Sequence, residues 1–203
     1  MTASTGIVIL AAGESARMGQ PKQLLMFRGK TLLQHAIDTA LSISGTPVVV
    51  VLGAHSAQIR AQFDDPCAMF VENPDWREGM GTSLSLGLRE LLTAHPAISA
   101  AIFLVCDQPL LTATTLSILI ATHQQNGCAI VASEYGGALG VPALFARWMF
   151  PELLALEGCE GARQVIHEHR EHTVAVPFPD GAVDLDTPAD YALFRENSNA
   201  LPV

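Results

Sequence analysis

Five short runs in the first two-thirds of the chain are apolar almost without interruption: Gly6–Ala11, Pro47–Leu52, Cys67–Val71, Ala100–Cys106 and Cys128–Ala132. A strand with one wet face alternates apolar and polar residues, whereas an unbroken run marks a strand buried on both faces. Between these runs apolar residues recur at helical spacing, over Thr31–Ser44, Ser56–Phe63, Ser83–Thr93 and Thr112–Gln125. Strands and helices taking turns predict an α/β fold: one doubly wound, mostly parallel sheet with helices on both faces, Rossmann-like in plan. In such folds ligands bind beyond the carboxyl ends of the strands, so the strand-end loops are where chemistry is to be sought.

After about Ala138 the rhythm changes. GVPALF (Gly140–Phe145) leads into a helical stretch, Ala146–Leu156, then a loop, Glu157–Gly161, and a helix, Ala162–His169. Two short strands are expected near Thr173–Val176 and Ala182–Leu185, and a last helix over Pro188–Glu196 with Pro188 in its first turn. No repeat or low-complexity segment interrupts the chain. The expected organisation is one domain over residues 1–197, with a first half to about 135, a second half from about 136, and a loose tail, 198–203.

The first strand ends in LAAGESARMGQPKQLL, Leu10 to Leu25. This is neither of two familiar phosphate loops: Walker A needs Gly-Lys-Ser/Thr, and the dinucleotide fingerprint needs G-x-G-x-x-G. The ingredients for holding an anion are nevertheless here. Gly13 lets a ligand approach the backbone, and successive N–H groups of a loop cradle phosphate oxygens. Arg17 offers a planar fork of donors and Lys22 a mobile point charge. Asp107 stands at the carboxyl end of the Ala100–Cys106 run, facing the same crevice; the alternative for it is a turn or helix cap.

Charge narrows the partners. A net charge of −9 opposes nucleic-acid binding, which needs a basic face. Of only 11 lysines and arginines, Arg17, Lys22, Arg28 and Lys30 fall in one short stretch, which suits a small anion. The four cysteines, Cys67, Cys106, Cys128 and Cys159, have no metal or redox spacing. They are expected to be buried thiols of a cytoplasmic protein. No run approaches the ~20 apolar residues of a membrane span, and MTASTG lacks the basic start of a signal peptide.

Six motifs, in order, resemble the MobA/MocA-like nucleotidyltransferases of GT-A-like fold, the group that includes molybdenum-cofactor cytidylyltransferases. They are L-A-A-G-x-S-x-R-M-G-x-P-K-x-L from Leu10, NPDWREGMGTSLSLGL (Asn73–Leu88), LVCDQPLL (Leu104–Leu111), GVPALF, GARQVI (Gly161–Ile166) and DLDTPAD (Asp184–Asp190). The resemblance implies transfer of a nucleotidyl group from an NTP to a phosphorylated acceptor, with pyrophosphate released. It implies catalytic roles for Arg17, Lys22 and Asp107. It puts the nucleotide against Leu10, Ala11, Ala12, Gly13, Lys22, Gly81, Thr82, Ser83 and Asp107. Mg²⁺ falls to Asp107 and Asp186, and the acceptor to Gly140, Pro142 and Arg163. Thr82 or Ser83 reads equally well as a helix N-cap, the D-T-P stretch as one in which Asp184, Asp186 or Thr187 caps the last helix, and Arg163 as an ordinary surface residue.

Guanylyl-transferring relatives typically carry L-A-G-G where this chain has Leu10-Ala11-Ala12-Gly13. The extra methyl of Ala12 narrows the space beside the base, favouring CTP over GTP and a pyrimidine over a purine. Molybdopterin is then the expected acceptor, with cytosine dinucleotide as product and passing contact with a molybdoenzyme or its chaperone. A monomer is expected. The rivals are a GTP-using or other phosphate-accepting transferase, and a non-catalytic cofactor-insertion factor. Cys159 replaces an Asp found in many relatives. HEHREH, His167–His172, lacks the H-E-x-x-H zinc spacing and reads as a solvated helix end. Trp76 and Trp148 read as packing anchors.

Overall fold

The computed structural model describes residues 4–63, 66–183 and 185–198. Its strands are β1 (Thr5–Ala11), β2 (Met26–Phe27), β3 (Lys30–Thr31), β4 (Val48–Leu52), β5 (Ala68–Glu72), β6 (Ala100–Val105), β7 (Ile130–Tyr135), β8 (Ala138–Ala146) and β9 (Thr173–Pro177). Its α-helices are α1 (Leu32–Leu41), α2 (Ser56–Arg60), α3 (Met80–Ala94), α4 (Ala113–Asn126), α5 (Phe150–Leu154), α6 (Ala162–Glu168) and α7 (Pro188–Ser198). Seven strands form one sheet in the order β5-β4-β1-β6-β8-β7-β9. Only β8 runs against its neighbours, β6 and β7. This is the expected doubly wound, mostly parallel sheet.

Alternation along β1 explains the two cores. Ile7, Ile9 and Ala11 turn to one face, covered by α1 and α4 through Leu33, Ile37, Leu116 and Leu119. Val8 and Leu10 turn to the other, under α3, α5 and α6 through Leu84, Leu88, Leu153 and Ile166. Helix α3 lies close enough that a Cβ on Gly87 would stand 2.5 Å from Val8 Cγ1.

Two expectations are corrected. The described residues 182, 183 and 185 of the expected strand Ala182–Leu185 are not in a strand: a 3-10 turn occupies Pro179–Ala182, and a Cβ on Gly181 would stand 2.5 Å from the Phe178 ring and 2.7 Å from that of Tyr135. GVPALF, given no strand above, lies inside β8. The tight link before it, Gly136-Gly137, has φ of +57° and +75°, the left-handed pair that a two-residue hairpin requires.

A third, smaller core joins α7 to the β2–β3 hairpin. Phe194 of α7 packs on Phe27 of the β2–β3 hairpin at 5.0 Å between ring centres, with Met18, Leu25, Leu32 and Leu185 around them. The Tyr191 hydroxyl donates to the Met26 carbonyl at 2.8 Å and accepts from the Met26 N–H at 3.1 Å. The residues just before α7 are thereby set beside the loop that follows β1. Residues 199–203 of the expected tail lie outside the described residues.

Candidate active site

A cavity of about 660 Å³ opens at the carboxyl ends of β1 and β6. Leu10 to Arg17, Lys22 and Gln23 form one wall; Val105, Cys106 and Asp107 form the floor end. Trp76, Arg77, Gly79, Met80 and Ser83 face them from the start of α3, and Asp186 closes the rim.

The charges at the rim are arranged in a chain. Lys22 donates to Asp186 Oδ1, and Arg17 to Asp186 Oδ2. Lys22 Nζ is also 3.5 Å from Asp107 Oδ2. The Lys22 side chain is 14% exposed and that of Arg17 is 71% exposed, so lysine is the inner cation and arginine the outer one. The hydrogen bond from Lys22 holds the Asp186 carboxyl below the ordinary carboxylate range; burial opposes it, and the charges of Lys22 and Arg17 add to the lowering. Burial, with the neighbouring Asp107 charge, pushes the Cys106 thiol up. It is therefore a neutral packing group at the cavity floor, not a nucleophile.

Asp186 has no capping duty. Thr187 Oγ1 accepts from the Asp190 N–H at 3.2 Å, and Asp190 Oδ2 accepts from the Thr187 N–H at 2.8 Å. That reciprocal box caps α7 and leaves Asp186 facing the cations. Asp184, the other candidate cap, lies outside the described residues.

The carboxylates suit a hard divalent cation. Asp107 and Asp186, from distant parts of the chain, both reach the one ammonium of Lys22. Mg²⁺ takes one or two protein carboxylates and fills its other positions with water and substrate phosphate. Among the described residues no group of three or more His, Cys, Asp or Glu converges, so substrate oxygens would complete the shell.

The facing wall is built by hydrogen bonds. Asn73, only 3% exposed, donates to Thr82 Oγ1 at 2.9 Å and Ser83 Oγ at 2.8 Å, and accepts from the Asp75 N–H at 3.0 Å. Helix α3 begins at Met80 with Gly79 as its N-cap, so neither Thr82 nor Ser83 caps it. Gly79 has φ +134°, and a Cβ there would stand 2.1 Å from the Gly158 carbonyl oxygen. The Gly81 N–H donates to that same oxygen at 3.0 Å. The Glu157–Gly161 loop is therefore locked onto the start of α3.

Of the residues singled out from sequence, Leu10, Ala11, Ala12, Gly13, Arg17, Lys22, Ser83, Asp107 and Asp186 all meet at this cavity. Gly81 and Thr82 are not among its lining residues: Gly81 backs onto Glu157, and Thr82 donates to the Gly79 and Asp75 carbonyls. Gly140 and Pro142 are buried within β8 and Arg163 is exposed on α6, all three outside the lining. Gln23 and Arg77 line the cavity without having been singled out. Two of the expected buried thiols, Cys67 and Cys159, are exposed. Trp76 packs on Gly53, as an anchor should, but Trp148 is 60% exposed. Within HEHREH, His169 Nε2 meets Glu152 at 2.8 Å. No helix among the described residues is long and apolar enough to cross a membrane.

Residues 7–174 match the MobA-like NTP transferase domain. Among curated relatives, the purine catabolism protein PucB of Bacillus subtilis is 30% identical over 93% of this chain and 94% of its own. Nicotine blue oxidoreductase of Paenarthrobacter nicotinovorans is 37% identical over 58% of this chain, which spans only 56% of that protein. The molybdenum cofactor cytidylyltransferase of Escherichia coli is 23% identical over 93% of this chain and 94% of its own. Among solved structures, the manganese complex of Rv0371c from Mycobacterium tuberculosis superposes with a TM-score of 0.76 at 27% identity, covering 96% of this chain and 99% of that one.

Proposed function

Because the chain belongs to the MobA-like NTP transferase family and is thus a nucleotidyltransferase, we propose that it transfers CMP from CTP to the phosphate of molybdopterin, with Mg²⁺ as its metal. The observation that carries the proposal is the rim, where two cations and two carboxylates pair with one another across the mouth of the cavity. Such a rim accepts a ligand that brings both signs, a triphosphate and its divalent cation. Each charged side chain then exchanges an internal partner for one on the ligand. Asp107 and Asp186 hold the cation, which supplies charge neutralisation at the phosphates. Lys22 and Arg17 hold the phosphates.

An acceptor phosphate oxygen forms a bond to the α-phosphorus while the bond from that phosphorus to the bridging oxygen breaks. Pyrophosphate leaves with the electron pair. The attacking oxygen is already anionic, so the chain needs no general base. Its work is to bring anions into line and to spread the charge of the leaving group over Lys22 and Arg17.

The base is placed against Leu10–Gly13, where the Ala12 methyl leaves the narrower space that favours cytosine. The likeness to the cytidylyltransferase of Escherichia coli supports the same choice, and the manganese complex supports a divalent metal. The acceptor side is assigned to Gly140, Pro142 and Arg163, which lie outside the cavity lining. Cys159, exposed on the loop locked to α3, gives that side a surface unlike the Asp-bearing relatives. It favours, as a second reading, another phosphorylated acceptor. The deciding assay is anaerobic, with Mg²⁺, molybdenum-loaded molybdopterin and either CTP or GTP, following pyrophosphate. Turnover with CTP alone is expected. Turnover with GTP alone overturns the base assignment, and binding without turnover overturns the acceptor.

A further inference from the structure

We propose that Gln23 is the positioning residue of the nucleotide loop, acting through the backbone of Ala11–Gly13; the inference rests on the nucleotide-binding reading above. Gln23 is 2% exposed, yet its carboxamide is spent on backbone and not on packing. Nε2 donates to the Ala11 carbonyl at 2.8 Å and to the Gly13 carbonyl at 3.0 Å, which uses both hydrogens of the amide. The carbonyl between them, that of Ala12, accepts from the Ala54 N–H at 3.0 Å. Three successive carbonyls are thus tied, two of them by one side chain. In a planar trans peptide each carbonyl fixes the N–H of the next residue on the opposite side. Tying Ala11, Ala12 and Gly13 therefore orients the N–H groups of Ala12, Gly13 and Glu14, all cavity residues.

The remaining atom of the side chain sharpens the argument. Gln23 Oε1 is buried with no partner among the described residues. Turning the carboxamide over would set that oxygen against two carbonyl oxygens, so the neighbours dictate the orientation. A methionine would fill the same space and leave no unpartnered oxygen. What it lacks is the pair of donors, and those are what the loop uses. Next along the chain, the Lys22 N–H donates to Ser15 Oγ at 3.0 Å, so residues 22 and 23 together brace residues 11–15 from beneath. The cations and carboxylates of the rim are held by their own ion pairs. Loss of the brace should therefore loosen the hold on the base and blur the choice between bases, and disturb the transfer step less.

The test compares the wild type with Gln23→Met, Gln23→Asn and a control, Leu116→Ala. The asparagine keeps the amide but is one methylene too short to reach both carbonyls; it carries the test if the methionine variant does not fold. Leu116 is fully buried in α4 and is not among the residues lining the cavity. Below Tm, calorimetric binding of CTP and of GTP with Mg²⁺, steady-state KM and kcat, and amide exchange at residues 12–14 are measured. The expected result for Gln23→Met is about tenfold weaker CTP binding, or about 1.4 kcal/mol, a matching rise in KM, and a smaller preference between CTP and GTP. Exchange should quicken at residues 12–14, with kcat changed less than KM. Leu116→Ala should lower Tm and leave binding alone. Wild-type affinity in both Gln23 variants, or an equal loss in Leu116→Ala, overturns the inference. Failure of the wild type to bind any nucleotide overturns the nucleotide reading itself, and is seen before any variant is made.

Discussion

Asp186 answers to two demands that Thr187 separates. A carboxylate just before a helix is ordinarily drawn into capping, but here the Thr187–Asp190 box does that work, and Asp186 serves Lys22 and Arg17. Its lowered pKa has a sign that can be tested. A carboxylate held below its unfolded value, near 3.9, stabilises the fold above that pH and loses the contribution as pH falls through the folded value. Wild type should therefore melt above Asp186→Asn at pH 6, and the gap should close as the pH is brought towards 3. A constant gap would remove the ion pair from the stability of the rim. For Asp107→Asn we expect turnover to fall by about 100-fold or more, as for loss of a group that acts at the developing charge, with nucleotide still bound in a filter assay. Arg17, Lys22 and Asp107 were legible because ionised side chains at and just after strand ends need partners or a ligand; Asp186, in the loop before α7, was legible through the family resemblance. Gln23 was not legible: what it does depends on where two carbonyls point, and no residue type records that.

At the scale of elements, the reading succeeded where burial is two-sided and failed where a segment turns a corner. β1, β4 and β6 are apolar throughout and were placed to within a residue. β8 was missed because Gly140 and Pro142 look like strand breakers, although Gly136-Gly137 was a readable hairpin signal. The β2–β3 hairpin was missed because two-residue strands have no periodicity. That hairpin matters, since it is what α7 docks on. Phe194→Ala, a truncation in a buried aromatic pair, should cost about 3 kcal/mol, the low end for such changes. Hydrogen exchange should show the loss concentrated in residues 22–31 and 185–198, with α3 and β6 protected. Gly79→Ala should act differently. Its Cβ would collide with the Gly158 carbonyl, so the Glu157–Gly161 loop must move, and protease sensitivity at that loop should rise.

For the molecule as a whole, the sheet and its two helical layers form a rigid base, and the charged rim spans residues far apart in sequence. A ligand that ties the rim should therefore stabilise the entire fold. With CTP and Mg²⁺ at 100 times the dissociation constant the gain is about 2.7 kcal/mol, readable as a rise in Tm. CTP with a chelator should give much less, since bare triphosphate leaves Asp107 and Asp186 without new partners. Equal shifts with and without metal would take both carboxylates out of cation binding.

The contacts of Asp186 with Lys22 and Arg17 span 164 and 169 residues. A ribosome releases the first of these segments long before the second. The sheet's central strands can gather on the nascent chain in the interval, but the rim cannot close until Asp186 emerges. The charge lock is thus the last part of the site to form on the growing chain, added only after every strand of the sheet has been made.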